Sequence, residues 1–351
     1  MGEAIITRAG GGEADTVIPI TPGYHTILAV IKDPEGGVMV NHPISCKDGS
    51  RQYNYTTNAK GQVMFVCNSG AANIFVNNYN GAYRYIDVAA QWKNIDAPVG
   101  LTSKVEINLE HPDSLVEFLS NSGFELYSQR VCDIDIVGGG GGGSAGADDY
   151  SSLYKVCGGG GGAGYLNNYT NQNLKGQYNF IVGSGGSGGN LRNRGGTGGT
   201  SYIANTNYSA IGGAGGNNNF TVVNIAGDDI QFCGGGIGGL GNGAGGINIV
   251  DEKFDRYKMP SGSPVSFAGG GGGAGTGIIN ISKGKNTSRF VGINYGGNGA
   301  ISWNQTNEHS NIVSKKGSRG GGGGGGCVST WSTLPPSSGG AGLLRINIRY
   351  D

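Results

Sequence analysis

The residue types that most often carry catalysis or metal binding are present in this chain but poorly spaced for either task. Four histidines, His25, His42, His111 and His309, are scattered with neither ligand nor triad spacing. Six cysteines, Cys46, Cys67, Cys132, Cys157, Cys233 and Cys327, form no C-x-x-C pair, so a zinc site is not expected. Cys157, Cys233 and Cys327 each flank a glycine run and read as small apolar space-fillers. A disulfide between Cys46 and Cys67 is conceivable. The carboxylate pairs Asp148-Asp149, Asp228-Asp229 and Asp251-Glu252 fall in expected loops. Adjacent loop carboxylates are usually solvated, and a glycosidase or calcium site would need a geometry that spacing alone does not supply. Gly284-Lys285 is followed by Asn286 where a phosphate-binding loop needs Ser or Thr. The expectation is a protein that is not an enzyme and uses no cofactor or metal.

The scaffold that must position any site is dominated by glycine. It supplies 74 of 351 residues, and charged residues reach 14%, against averages of about 7% and about 25%. Lys+Arg and Asp+Glu both total 24, so the formal charge is zero. Such a chain has no basic face with which to displace counterions from nucleic acid. No run of about 20 apolar residues suggests membrane insertion, and the opening MGEAIITR lacks a signal-peptide core. Synthesis in a reducing cytoplasm, with free thiols, is expected.

The glycines divide the chain: 13 lie in residues 1–129 and 61 in residues 130–351. Residues 1–15, with Gly10-Gly11-Gly12, read as a flexible or docking tail. Residues 16–112 carry short β-rich segments separated by turns, with strands expected at 24–31, 53–57, 63–66, 72–76, 83–89 and 104–109, and another ending at Lys47-Asp48-Gly49. Roughly seven strands in so short a span predict a two-sheet sandwich.

Residues 113–351 form the third unit. Pure glycine runs include Gly138, Gly141, then Gly158, Gly160, then Gly269, Gly271, and finally Gly320, Gly323. Between them, Ser184, Ser187 and Asn190, then Thr197 and Thr200, recur every third residue between Gly-Gly pairs. A period of three fits neither α-helix nor strand but matches polyproline II geometry, which glycine also adopts. Ordering glycine is entropically costly, and no side chain offsets the cost. Stabilisation must come from backbone bonds between helices that pack without Cβ atoms. The prediction is a polyglycine II bundle in which buried helices are pure glycine and edge helices carry an outward residue at every third position. Two strands frame it: residues 132–137 set Ile134 and Ile136 against Asp133 and Asp135, and residues 343–350 set Leu344, Ile346 and Ile348 against Arg345 and Arg349. Opposite charges at matched spacing make them expected neighbours. Residues 115–119 read as another strand. The fold class is all-β: an N-terminal Ig-like β-sandwich followed by a β-sheet-framed polyglycine II helix bundle.

DIDIVGGGGGG, YNFIVGSGGSGG, Gly-Gly-Thr-Ser at 198–201 and the closing GGAGLLRINIRY together resemble the glycine-rich domain of bacteriophage tail and fibre proteins, over about residues 116–351. T-even phage adhesins share the polyglycine II sandwich, as does an extracellular domain of an animal receptor kinase. The TTNAKGQVMF stretch resembles carboxypeptidase-regulatory-like and related Ig-like modules, which implies a spacer. MGEAIITRAGGG is similar to the start of structural proteins of Gram-positive phages and prophages.

These resemblances imply a virion protein acting as a host-surface adhesin. The N-terminal region would dock on other virion proteins, loops of the rigid domain would contact a host cell-surface glycan or protein, and the chain could form a homo-oligomer. The alternative is a capsid or tail decoration protein that spaces or stabilises the particle. Long polar excursions at 148–154, 165–173, 251–258, 303–311 and 329–335 are rich in Asn, Ser and Tyr, which suit adaptable recognition. The candidate contacts are Tyr150, Tyr154, Tyr165, Tyr169, Trp303 and Trp331.

Overall fold

Alternating apolar and polar residues build the N-terminal unit. The computed structural model describes residues 24–68, 70–96, 100–144, 160–190, 193–216, 316, 318–324 and 335–350. It also describes short strands at Gly2–Ala4, Ile18–Ile20, Thr221–Ile225, Asp228–Phe232, Asn248–Ile249, Gly277–Ile279, Phe290–Val291, Ile301–Trp303, Cys327–Val328 and Thr333–Leu334. Every regular element among them is a β-strand. The first nine with described side chains are β1 (His25–Lys32), β2 (Pro43–Asp48), β3 (Arg51–Thr56), β4 (Gln62–Cys67), β5 (Ala71–Val76), β6 (Tyr79–Asn80), β7 (Tyr83–Tyr85), β8 (Gln91–Asp96) and β9 (Thr102–Asn108).

Two sheets, ordered β8-β5-β2-β3 and β9-β1-β4, face each other as a sandwich. In β2, β4 and β5 alternate residues are buried, as a sheet with one covered face requires. Ile27, Ile31, Met39, Phe65, Ile74 and Ile107 form the middle of the core. Cys46 and Cys67, on opposite sheets, are buried free thiols with sulfurs 3.9 Å apart. That is van der Waals contact, well beyond the ~2.05 Å of a disulfide. The expected strand at 83–89 ends at Tyr85, where the chain turns to bury Asp87, and β8 was not expected at all.

The glycine-rich part begins with one large sheet. Its strands are β10 (Leu115–Phe118), β11 (Ser122–Val137), β12 (Leu166–Ile181), β13 (Ser201–Ile203), β14 (Ser209–Ala210) and β15 (Leu343–Arg349), ordered β10-β15-β11-β12-β13-β14. β11 and β15 are antiparallel neighbours, with Ile134 opposite Ile346 and Asp135 opposite Arg345. Arg349 pairs with Asp133 at 2.8 Å. Arg345 turns instead to Glu117 at 2.9 Å, and Glu117 also holds Arg319 at 3.1 Å. The β6–β7 hairpin leaves the sandwich to pair β7 in parallel with the start of β11.

The β11–β12 ladder folds back on itself. Sixteen extended residues would span about 50 Å. Yet both ends meet one place: the Gly342 amide bonds Gly183 O, and a methyl at Gly342 would lie 2.1 Å from Val137 O. The register breaks between Leu126 and Arg130 and again between Cys132 and Ile134, with Gly176 (φ 90°) and Asn171 (φ 56°) absorbing the turn on β12. The folded ladder encloses a second core of Phe124, Leu126, Ile134, Ile136, Phe180 and Leu344.

Among the described residues the chain runs seven times through a glycine lattice. The run 138–143 lies at its centre and donates to three neighbours in rotation. Gly138 and Gly141 bond Tyr165 O and Gly162 O, Gly139 and Gly142 bond Gly199 O and Gly196 O, and Gly140 and Gly143 bond Gly340 O and Ser337 O, all at 2.8–3.0 Å. The same partner returns every third residue, which is the three-fold screw of polyglycine II. Three further runs donate to the centre: Gly186 and Gly189 to Gly140 and Gly143, Gly213 and Gly216 to Gly139 and Gly142, and Gly323 to Gly141.

The six outer runs also bond one another. In order around the ring they are 160–165, 211–216, 193–200, 183–190, 337–342 and 318–324, each adjacent pair joined by amide-to-carbonyl bonds such as Gly162 to Ala214, Gly198 to Gly213, Gly196 to Ser187, Gly339 to Gly186, Gly340 to Gly321 and Gly161 to Gly323. Acceptors of the central run alternate with donors to it. The former run antiparallel to the centre and the latter parallel, so chain direction alternates around the hexagon.

Side-chain positions obey this geometry. A methyl carbon placed on Gly139, Gly141 or Gly142 would sit 2.0, 1.9 or 1.8 Å from the carbonyl oxygen of Ser184, Ala214 or Ser187. The centre therefore admits glycine alone. On three outer runs Ser184, Ser187, Asn190, Thr197, Thr200, Ile211 and Ala214 are exposed at every third position. Two expected pure runs differ from expectation in place: 160–164 and 320–324 are ring members, buried throughout. Gly320 has φ 78°, so within its run it turns the chain and departs from the three-fold screw.

Candidate functional site

The alternating chain direction gives the lattice two unlike ends. At one end its runs join the sheet, through Val137, Leu166, Ser201, Ala210 and Leu343. At the other end the chain leaves after Ser144 and returns at Gly160, reverses between Asn190 and Asn193, and leaves after Gly324 to return by Ser337. The sandwich meets the sheet at the ladder's bend, where Tyr127 donates to Val38 O at 3.1 Å and Arg130 reaches Glu35 at 2.5 Å, and through β7 beside the start of β11. The molecule is thus ordered sandwich, sheet, lattice, with chain reversals at the far end.

Of the candidate contacts, Tyr150, Tyr154 and Trp331 lie outside the described residues, as do Gly158, Gly269 and Gly271 among the glycines. The excursion with Tyr150 and Tyr154 and the one with Trp331 both leave and rejoin the lattice at that far end. Trp303 ends the strand Ile301–Trp303. Tyr165 and Tyr169 are not in a loop: the segment 165–173 closes a lattice run and opens β12. The Tyr165 amide bonds Ile211 O at 3.0 Å, and the Tyr169 hydroxyl donates to Ser209 O at 3.0 Å while its ring packs edge-on to Tyr208. The Asn-rich sequence concealed this strand because β11 supplies its backbone partners. Asp228-Asp229 likewise starts a strand paired with Asn224 and Ile225 and is not a loop pair. Asp148-Asp149, Asp251-Glu252, Cys157 and Cys233 lie outside the described residues.

The bend holds the richest group of polar side chains. Asp87 is fully buried and accepts the amides of Tyr127 and Ser128 at 2.9 and 3.0 Å, and Arg130 Nε at 3.4 Å. Glu35 bridges Arg130 and His111, whose ring stacks on Tyr350 at 4.0 Å. Burial raises the Tyr350 hydroxyl above its ordinary range. The chemistry here is that of a fastening: every carboxylate is spent on a backbone amide or a cation. The flanking Ile86 and Val88 are the sequence signal, since an aspartate between buried apolar residues must find internal donors.

Other titratable groups are structural too. Burial pushes the Cys132 thiol up to about 12, where it stays protonated and unreactive. Burial lowers His42 to about 4 despite its bond to Asn77 O. Arg349 and the Asn171 amide hold Asp133 below the usual carboxylate range. Among the described residues, no group of three or more His, Cys, Asp or Glu is placed to hold a metal ion, and no helix is long and apolar enough to cross a membrane.

The comparisons with known proteins follow from this architecture. A glycine-rich domain family matches residues 124–349. A DUF3823 family protein from Parabacteroides merdae, solved by crystallography, is 8% identical with a TM-score of 0.22, over 46% of this chain and 91% of that chain. The Bacillus anthracis TIE protein is 11% identical with a TM-score of 0.22, over 83% of this chain and 51% of that chain. Likenesses this distant carry no argument about what the chain does. No curated protein sequence matches it. The family match begins in β11, spans the folded sheet and the lattice, and ends in β15: this chain belongs to the glycine-rich domain family.

Proposed function

We propose that the protein is a virion structural protein of a bacteriophage that acts as a host-surface adhesin, with the sandwich side facing the particle and the far end of the lattice facing the host. One observation carries this reading: at one end the runs of a rigid, internally hydrogen-bonded lattice pass into the sheet, and at the other, opposite the sandwich, they end in turns and excursions. A closed backbone lattice tolerates loops of any sequence at its turns, because no loop side chain takes part in holding it. The excursions that carry Tyr150, Tyr154 and Trp331 are anchored there. Tyr165 and Tyr169, engaged in packing, are not part of the proposed contact.

The test is saturable binding of labelled full-length protein to intact bacterial cells of the presumed host. The double variant Tyr150→Ala/Tyr154→Ala, and Trp331→Ala, should each weaken binding about tenfold with unchanged melting. If neither variant alters binding, or the parent does not bind, the adhesin reading fails. Particles that lack the protein, adsorb normally and break more readily on heating would then favour decoration.

A further inference from the structure

The sandwich carries a second surface that its own packing does not use. On the four-stranded sheet, Ile44, Cys46, Ala72, Ile74, Val76 and Ile95 point into the core, so their alternates point outward. The register places Trp92, Phe75, Ser45 and Asn54 in one outward cross-strand row, and Asn94, Asn73, Lys47 and Gln52 in the next. Trp92 is 62% exposed. Its ring is nonetheless fixed, stacked on Phe75 with centroids 4.3 Å apart and planes 28° apart. At the opposite edge of the sheet Gln52 donates to Asn54 at 3.3 Å.

We propose that this face binds a neutral polysaccharide, with the Trp92–Phe75 stack as the platform for a pyranose ring and the amides of Asn73, Asn94, Asn54 and Gln52 bonding its hydroxyls. An aromatic face is electron-rich, and the axial C–H bonds of a pyranose present weak positive charge to it. Side-chain amides both donate and accept, as hydroxyls do. The stack holds Trp92 in one orientation before any ligand arrives, which lowers the ordering cost of binding.

Charge and area select this occupant over others. The two rows hold one cation, Lys47, and the adjoining edge one anion, Asp96, so the face matches an uncharged polymer and lacks the cations a phosphate backbone requires. Its apolar part is a single stacked pair, far short of the apolar centre in a stable protein interface of about 1,200–2,000 Å². Three strand spacings, about 14 Å, give length for several sugar units. The inference does not depend on the lattice excursions, which lie at the other end of the molecule.

The test is native affinity electrophoresis of the full chain in gels containing hydroxyethylcellulose, galactomannan, mannan or dextran, with alginate as the anionic control. Retardation by at least one neutral polymer is expected. Trp92→Ala should abolish it without changing the melting temperature, Trp92→Tyr should keep most of it, and Asn73→Ala/Asn94→Ala should weaken it about tenfold. No retardation by any neutral polymer, retardation by alginate alone, or undiminished retardation of Trp92→Ala would each overturn the proposal.

Discussion

The sandwich and the lattice solve the same problem by opposite means. In the sandwich, side chains supply the stability: Phe65, Ile27, Ile31 and Ile74 leave water and interlock, and the backbone only has to avoid leaving polar groups unpaired. In the lattice, side chains are expelled and the backbone supplies the cohesion, each central amide reaching a carbonyl on a neighbouring run. A net bond is worth only about 0.5–1.5 kcal/mol, so many must form together. The sandwich can therefore absorb conservative change at single positions, whereas the central run of the lattice accepts no side chain at all. Tolerance to mutation depends on which atoms make the contacts.

The widest break in that comparison should come from Gly141→Val. Its Cβ would lie 1.9 Å from Ala214 O, a backbone atom tied into the ring and unable to move aside. A loss above about 4 kcal/mol is expected: the lattice should become protease-sensitive while β1 to β9 stay protected in native-state hydrogen exchange. A variant that melts like the parent would refute the lattice. Phe65→Ala should cost about 3–5 kcal/mol with the reverse pattern, protection lost first in the sandwich.

Asp87→Ala tests the fastening between the two regions. It leaves Arg130 without a buried partner and frees two amides at the bend, at a cost of about 3 kcal/mol. The sandwich and lattice transitions should then separate in calorimetry; a single unchanged transition would show that the bend does not couple them.

A pH series sharpens the contrast, because the described residues of the lattice interior include no titratable group. His42 is neutral in the fold and titrates at about 4, against 6.5 when unfolded. The unfolded chain binds the proton first as pH falls, so this contribution to stability is complete above pH 6.5 and declines towards pH 4. The full decline is about 3 kcal/mol. His42→Phe should flatten the acid limb of sandwich stability and leave the lattice unaltered. The smallest effect belongs to the lattice edge: Thr197→Ala, at an exposed outward position, should stay within about 0.5 kcal/mol.

Much of this was legible beforehand where a residue's role is set by its neighbours in sequence. The Gly-Gly-x spacing of Ser184, Ser187, Thr197 and Thr200 revealed the three-fold screw and the outward face. Alternation in 132–137 and 343–350 revealed two adjacent strands. β8 leaves no pattern in the sequence because Gln91–Asp96 is an edge strand with one buried residue, Ile95, too little to show a period of two. The segment 165–173 reads as a loop because its partners hold it by backbone bonds that do not depend on side-chain type.

The sequence by itself determined the division into two regions, the all-β class and the polyglycine geometry, since composition and local period fix backbone conformation. Only the tertiary structure decided which glycine run is central, that six runs close a hexagon around it, and that Asp87 bends the long ladder back to the lattice. Pure runs look alike as text. Their places depend on which carbonyl each amide meets across the lattice, a relation between segments up to two hundred residues apart that no local pattern encodes.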